Sequence, residues 1–252
     1  MDWHSRFLQQ AVWTHDLRAY LFERAGLTRA RRVLEVGCGT GAILSDLAPG
    51  LKRNLQVPSA AIHGLDLEPE RLTEASMHVP AARLACGNAM SLPYPPGSFD
   101  ISFCHFLLLW VSDPLLALLE MKRVTCPGGA VLALAEPDYD SRVDKPDALV
   151  ALGRWQTESL RWQGADPGLG RRLADLFRQA GIRPIETGTL QGGGQHLSTS
   201  AERSLEWAVL EADLEARVPV QEVRRMKLLD EQAWERGERV LHVPTYFAWG
   251  NV

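Results

Sequence analysis

The sequence predicts an α/β protein with a doubly wound, mainly parallel sheet. The first observation is an alternation of apolar strand patterns with amphipathic helix patterns, and the second is a glycine-rich turn after the first strand. We predict strands over 33–37, 61–66, 82–86, 100–104 and 129–135, and helices over 41–48, 69–77 and 114–123. Right-handed crossovers between such strands place helices on both faces of a parallel sheet.

Helical patterns flank this alternating region. Residues 3–25 carry an apolar face that ends at Gly26, which predicts one long helix. Beyond the fifth strand we predict helices over 147–163, 169–180, 201–216 and 219–237, and strands over 182–190 and 243–249. We expect the last two strands to pair antiparallel at the end of the sheet.

Composition excludes several classes of protein. A net charge of −4 without long charged runs gives no electrostatic footprint for nucleic acid. The longest apolar run, 106–111, is too short for a membrane span. The four cysteines lack metal-like spacing, so we expect free thiols, a reducing cytoplasmic location and no metal ion.

Residues 33–41 carry the strongest chemical signal, with the sequence VLEVGCGTG. The three glycines allow a sharp turn that brings backbone N–H groups close to a ligand. The start of the next helix favours negative charge, such as a carboxylate. Glu35, inside the apolar strand, needs a partner, and a ligand ammonium would supply one. A structural ion pair is the alternative role for this side chain.

Five motifs follow one another in order. After the glycine turn come HGLDL at 63–67, CGNAMSLP at 86–93, GSFDISF at 97–103 and PGG at 127–129. Together they resemble class I S-adenosylmethionine-dependent methyltransferases, in the ubiquinone/menaquinone-biosynthesis-like branch (methyltransferase domain 11/25 type). The resemblance implies a Rossmann-like, seven-stranded sheet with an antiparallel last strand, S-adenosylmethionine as cofactor and S-adenosylhomocysteine as product.

The resemblance also implies a set of cofactor-binding residues. Asp66 takes the acidic position that binds the ribose hydroxyls, with helix capping as its alternative role. Asn88 departs from the family, in which Asp is common at this place near the adenine. The full set is Glu35, Gly37, Cys38, Gly39, Gly41, Asp66, Leu67, Asn88, Ala89, Met90, Cys104 and His105.

Catalytic and acceptor-binding candidates are fewer. His105 ends the fourth strand and is either a general base, a pocket wall or a core residue. Asp138 is a second catalytic candidate, with turn capping as the alternative. Candidate acceptor contacts are Tyr139, Trp155, Trp162 and His196, and core packing is the alternative role of the two tryptophans. Arg18, on the first helix, either meets the cofactor carboxylate or is exposed to solvent.

These observations predict an enzyme in one integrated domain with three parts. They are an N-terminal helical lid (1–28), a cofactor-binding core (29–136), and the rest of the sheet with helical substrate-cap insertions (137–252). The predicted reaction is in-line methyl transfer to a small-molecule acceptor by a monomer or homodimer that binds neither nucleic acid nor membrane. The alternatives are a non-catalytic cofactor-binding or partner protein, a nucleic-acid methyltransferase and a nicotinamide-dependent oxidoreductase.

Overall fold

A computed structural model describes residues 2–47, 61–190, 199–215 and 217–252. The predicted break at 192–194 and the candidate His196 lie outside the described residues. No described helix is both long enough and apolar enough to cross a membrane.

The strands form a seven-stranded sheet and a separate two-stranded sheet. Their bounds are β1 Arg32–Val36, β2 Ala61–Asp66, β3 Arg83–Cys86, β4 Phe99–Cys104, β5 Thr125–Pro137, β6 Val143–Lys145, β7 Arg183–Leu190, β8 Val240–His242 and β9 Thr245–Asn251. The large sheet has the order β3-β2-β1-β4-β5-β9-β7. β1 to β5 are parallel, and β9 is antiparallel to both β5 and β7. The predicted fold class and the antiparallel last strand are confirmed.

The helices cover both faces of the sheet and its carboxyl edge. Their bounds are α1 Trp3–Trp13, α2 His15–Arg24, α3 Leu44–Leu47, α4 Pro69–His78, α5 Pro114–Val124, α6 Val150–Trp162, α7 Leu173–Gln179, α8 Ser200–Leu214 and α9 Val220–Glu235. One apolar cluster joins α5 and α7 to one sheet face, and a second joins α2 and α3 to the other. A third cluster packs α6, α8 and α9 together.

The single helix predicted over 3–25 is wrong, because the chain breaks at Thr14 into α1 and α2. The Thr14 hydroxyl and the Arg18 guanidinium both donate to the Ala11 carbonyl, and such side-chain bonds compete with regular helical ones. The predicted solvent exposure of Arg18 is also wrong. Its side chain is fully buried and forms an ion pair with the buried Asp46.

Candidate active site

A cavity of about 710 Å³ lies at the carboxyl edge of the parallel strands, and we call it the central cavity. The turns after β1, β2, β3 and β4 form its floor, as expected for an open α/β sheet. Side chains from α1, α6 and α8 form the remaining walls. Tyr139 also lines the cavity. Ten of the twelve predicted cofactor contacts line it, and Gly41 and Cys104 do not. The ten are Glu35, Gly37, Cys38, Gly39, Asp66, Leu67, Asn88, Ala89, Met90 and His105.

The glycine turn after β1 has a conformation that other residues rarely adopt. Gly37 and Gly39 have φ angles of +74° and +51°. A Cβ atom on Gly37 would lie 2.6 Å from Cδ1 of Leu107, and one on Gly39 would lie 3.0 Å from Cε2 of Phe7. These glycines therefore allow side chains from α1 and the turn after β4 to close over the loop.

Asp66 fixes this loop from the end of β2. One carboxylate oxygen accepts a hydrogen bond from the Gly39 N–H at 2.7 Å, and the other accepts from the Glu68 N–H at 3.0 Å. Asp66 therefore orders both the glycine turn and the chain leading into α4. A carboxylate has about four acceptor positions, so two of them remain for a ligand.

Glu35 is buried at the cavity wall, and its Oε2 atom has no hydrogen-bond partner among the described residues. Burial raises the pKa of this carboxyl well above its usual range, and Asp66 and Asp46 raise it further, whereas Arg18 lowers it. A buried carboxylate in this state is stabilised by a cationic hydrogen-bond donor. The arrangement fits a ligand ammonium group.

His105 contacts the break between α1 and α2. Its Nε2 atom lies 2.9 Å from the hydroxyl oxygen of Thr14, which accepts a hydrogen bond from Arg18. Burial, together with the Arg18 charge, lowers the pKa of His105 well below its usual range. The ring is therefore neutral at pH 7 and a weak base, which favours the pocket-wall interpretation over the general-base one.

Glu136, at the end of β5, orders the turn that follows β4. Its carboxylate accepts hydrogen bonds from the backbone N–H groups of Leu107, Leu108 and Leu109 at 3.0, 2.9 and 3.3 Å. Phe106, just before them, has a φ angle of +51°, which is uncommon outside glycine. This turn supplies Leu107, the side chain that closes over the glycine loop.

The predicted catalytic residue Asp138 does not line the central cavity. It is fully buried, pairs with Arg171 at 2.7 Å and accepts from the Ser141 N–H at 3.3 Å. It therefore caps a turn, which was the alternative role. Its neighbour Tyr139 does line the cavity.

Trp155 and Trp162 also lie elsewhere than predicted. They line a separate groove of about 440 Å³ with Arg217, whose guanidinium carbon lies 4.5 Å from the Trp162 ring centroid. The side chain of Trp162 is 71% exposed. The two tryptophans are seven positions apart, so they share one face of α6, and that face points away from the central cavity.

The other face of α6 supplies contacts that sequence reasoning missed. Gln156, Leu160 and Gln163 line the central cavity, together with Val209 and Asp213 from α8. Their spacing along α6 is the i, i+4, i+7 pattern of one helix face, a signal that was present in the sequence. The prediction from Trp155 and Trp162 therefore selected the wrong face of α6.

Asp213 is the acidic group at this end of the central cavity. Gln163 donates to its Oδ1 atom at 3.0 Å, and Gln156 donates to its Oδ2 atom at 3.4 Å. Burial raises the pKa of Asp213, and it has no ion pair among the described side chains. The carboxylate can accept a further hydrogen bond from a ligand.

Comparison with known proteins identifies the family of this chain. Residues 34–133 match the family model described as a methyltransferase domain. Demethylmenaquinone methyltransferase from Geobacillus kaustophilus is 33% identical over 203 residues, which cover 71% of this chain and 81% of that protein. Malonyl-[acyl-carrier protein] O-methyltransferase from Halorhodospira halophila is 36% identical over 132 residues, covering 50% and 43% of the two chains.

A solved structure shows the same fold at lower identity. The [4+2]-cyclase SpnF superposes with a TM-score of 0.59 and 22% identity, over 94% of this chain and 80% of that one. This chain matches only about half the length of some curated relatives, spanning 51% of one and 43% of another. The sheet, the glycine turn and these relatives together show that the chain belongs to the S-adenosylmethionine-dependent methyltransferases.

Proposed function

We propose that this protein transfers the methyl group of S-adenosylmethionine to a small-molecule acceptor held in the central cavity. The observation that carries the proposal is that one cavity of about 710 Å³ extends from the glycine loop to α6 and α8. Small-molecule sites have volumes of about 300–1,000 Å³, so the cavity has room for a cofactor and a modest acceptor. The name of one relative, demethylmenaquinone methyltransferase, also indicates an enzyme that acts on a small molecule.

The cofactor fits the end of the cavity next to β1 and β2. Glu35 would pair with its ammonium group, Asp66 would accept from its ribose hydroxyls, and the turn at Asn88 would lie against its adenine. The Asn88 side chain already accepts from the Met90 N–H at 2.9 Å, which fixes the shape of that turn. When bound, the cofactor supplies an electrophilic methyl group, and the residues around it orient the two reactants and exclude water.

We expect Asp66→Ala to weaken S-adenosylhomocysteine binding by about 1.5–3 kcal/mol, roughly ten- to a hundredfold, because charge-assisted acceptors are lost. The Gly39 N–H also loses its partner, so the glycine loop should become less ordered. Titration calorimetry measures the affinity, and circular dichroism checks the fold. An unchanged dissociation constant would restrict Asp66 to its role in the turn before α4.

The acceptor end is formed by α6, α8 and the segment after β5. Leu160 and Val209 offer apolar surface, while Tyr139 and Asp213 offer polar groups. Asp213 is held by two glutamine amides, so its position is fixed before any ligand binds. We assign it the role of accepting a hydrogen bond from an O–H or N–H group of the acceptor.

We expect Asp213→Asn to reduce kcat/KM for the acceptor by about ten- to a hundredfold, the loss of a hydrogen bond to a charged group, with S-adenosylhomocysteine affinity unchanged. Trp162→Ala is the matched control, since the Trp162 side chain lies on α6 but lines the separate groove and not the central cavity. Methyl-transfer kinetics and calorimetry are the two measurements. Equal activity in Asp213→Asn and the wild type would remove Asp213 from the acceptor site.

The proposed function is tested with cofactor that carries a radiolabelled methyl group. The protein is incubated with a bacterial extract that has been separated into small molecules, protein and nucleic acid. Label that appears in the small-molecule fraction, and not with Asp66→Ala, supports the proposal. Label in the nucleic acid or protein fraction, or binding of S-adenosylhomocysteine without any transfer, would favour the corresponding alternative function.

A further inference from the structure

Two imidazoles and a carboxylate meet where α1 packs on α4, outside the lining of the central cavity. They belong to His4 on α1 and to Glu74 and His78 on α4. The atoms of these side chains that could bind a metal all lie within 4.8 Å of one another. Glu74 and His78 are one helical turn apart, and their Oε1 and Nε2 atoms are separated by 3.8 Å. Two distant parts of the chain therefore bring three ligating groups together.

His4 is already oriented by a hydrogen bond of the kind that supports metal ligands. Its Nδ1 atom lies 2.9 Å from the hydroxyl oxygen of Thr40, a buried residue of the glycine turn. When Nδ1–H donates to this hydroxyl, Nε2 keeps its lone pair for a metal ion. Such outer-shell bonds fix both the tautomer and the ring orientation of metal-binding histidines.

We propose that His4, Glu74 and His78 bind a divalent transition-metal ion, with Zn²⁺ the best match. Two imidazoles and one carboxylate form a known zinc donor set, and it leaves a fourth position for water. The spacing of the cysteines predicted no metal ion, whereas these three ligands come together only in the folded chain.

The histidine rings must move slightly to share an ion. Their centroids are 3.5 Å apart and their planes differ by 4°, so the two rings are stacked and their in-plane lone pairs do not converge. His78 is exposed at the surface, and its ring can turn out of the stack without breaking core contacts. A bound ion would tie α1, which contributes Trp3 and Phe7 to the central cavity, to α4.

The test is calorimetric titration of the whole chain with ZnCl₂, after any polyhistidine tag has been removed. A Cys86→Ser background is used because Cys86 is an exposed thiol that would compete for the ion. We expect one ion per chain, and a loss of affinity of about tenfold or more in both His4→Gln and His78→Ala. Zn²⁺ should also raise the Tm of the parent protein but not that of the two variants.

His15→Ala is the matched control, since His15 also lies beside a carboxylate, with its Nδ1 atom 3.0 Å from Oδ1 of Asp16. This variant should bind Zn²⁺ like the parent. Because His78 is exposed, His78→Ala should leave the fold intact and give a clear answer. Absence of stoichiometric binding, or equal affinity in the parent and His78→Ala, would overturn the proposal.

Discussion

Arg18→Leu should lower the free energy of unfolding by about 3–5 kcal/mol, because it removes one charge of a fully buried ion pair with Asp46. Arg18 and Asp46 are both fully buried, and Arg18 also donates to Thr14 and Ala11 at the junction of α1 and α2. The Arg18 charge also lowers the pKa of the nearby Glu35 carboxyl. Urea denaturation monitored by circular dichroism measures the loss.

Two further variants distinguish this effect from simple loss of packing. Arg24→Leu changes an exposed arginine of the same helix and should alter the free energy of unfolding by no more than about 0.5 kcal/mol. Arg18→Leu combined with Asp46→Leu should be less destabilised than the sum of the two single variants, because the double variant removes both charges of the pair. A strictly additive double variant would show that the ion pair is not what stabilises this region.

Glu136→Ala should also have a large effect, of about 2–4 kcal/mol on the free energy of unfolding. The substitution removes the acceptor of three backbone N–H groups, and each buried unsatisfied group costs roughly 1–3 kcal/mol where water does not replace the partner. Because Leu107 packs over Gly37, binding of S-adenosylhomocysteine should weaken as well. Urea denaturation and calorimetry measure the two effects, and wild-type values for both would contradict this role.

The raised pKa of Glu136 also predicts that the free energy of unfolding depends on pH. Burial raises the pKa of this carboxyl from 4.5 to about 7, although hydrogen bonds from Leu107, Leu108 and Leu109 lower it. The folded state therefore binds the proton more tightly than the unfolded state. The resulting stabilisation is complete below about pH 4.5 and is lost as the pH rises through about 7, a change of roughly 3 kcal/mol.

Glu136→Gln isolates this contribution, because the amide resembles the protonated acid and does not titrate. Between pH 5 and pH 8 the free energy of unfolding of this variant should fall by about 2.5 kcal/mol less than that of the wild type. Glu35, whose pKa is also raised, is present in both proteins and cancels in the comparison. Parallel pH profiles for the two proteins would show that Glu136 ionises normally.

Local sequence patterns predicted the large sheet correctly. Each strand from β1 to β5 is a short apolar run beside a turn signal, and these runs are long enough to show their pattern. The β6–β8 pair was missed, because strands of three residues have no usable periodicity and their pairing joins distant segments. The break at Thr14 was missed for a related reason, since the partners of its hydroxyl include His105, which follows β4.

The sequence by itself determined the family, the sheet and most of the residues that line the central cavity after β1 to β4. Glycines with a required backbone conformation, and carboxylates at strand ends, are local features that a single segment reveals. The end of the cavity formed by α6 and α8, where we propose that the acceptor binds, was decided by tertiary structure alone. Whether Trp162 or Leu160 faces the cavity depends on how α6 packs against α8 and α9. An amphipathic pattern does not indicate which neighbouring element each face of the helix contacts. The environments of Arg18 and Asp213 were set in the same way, because burial and charge neighbours arise only when distant segments come together.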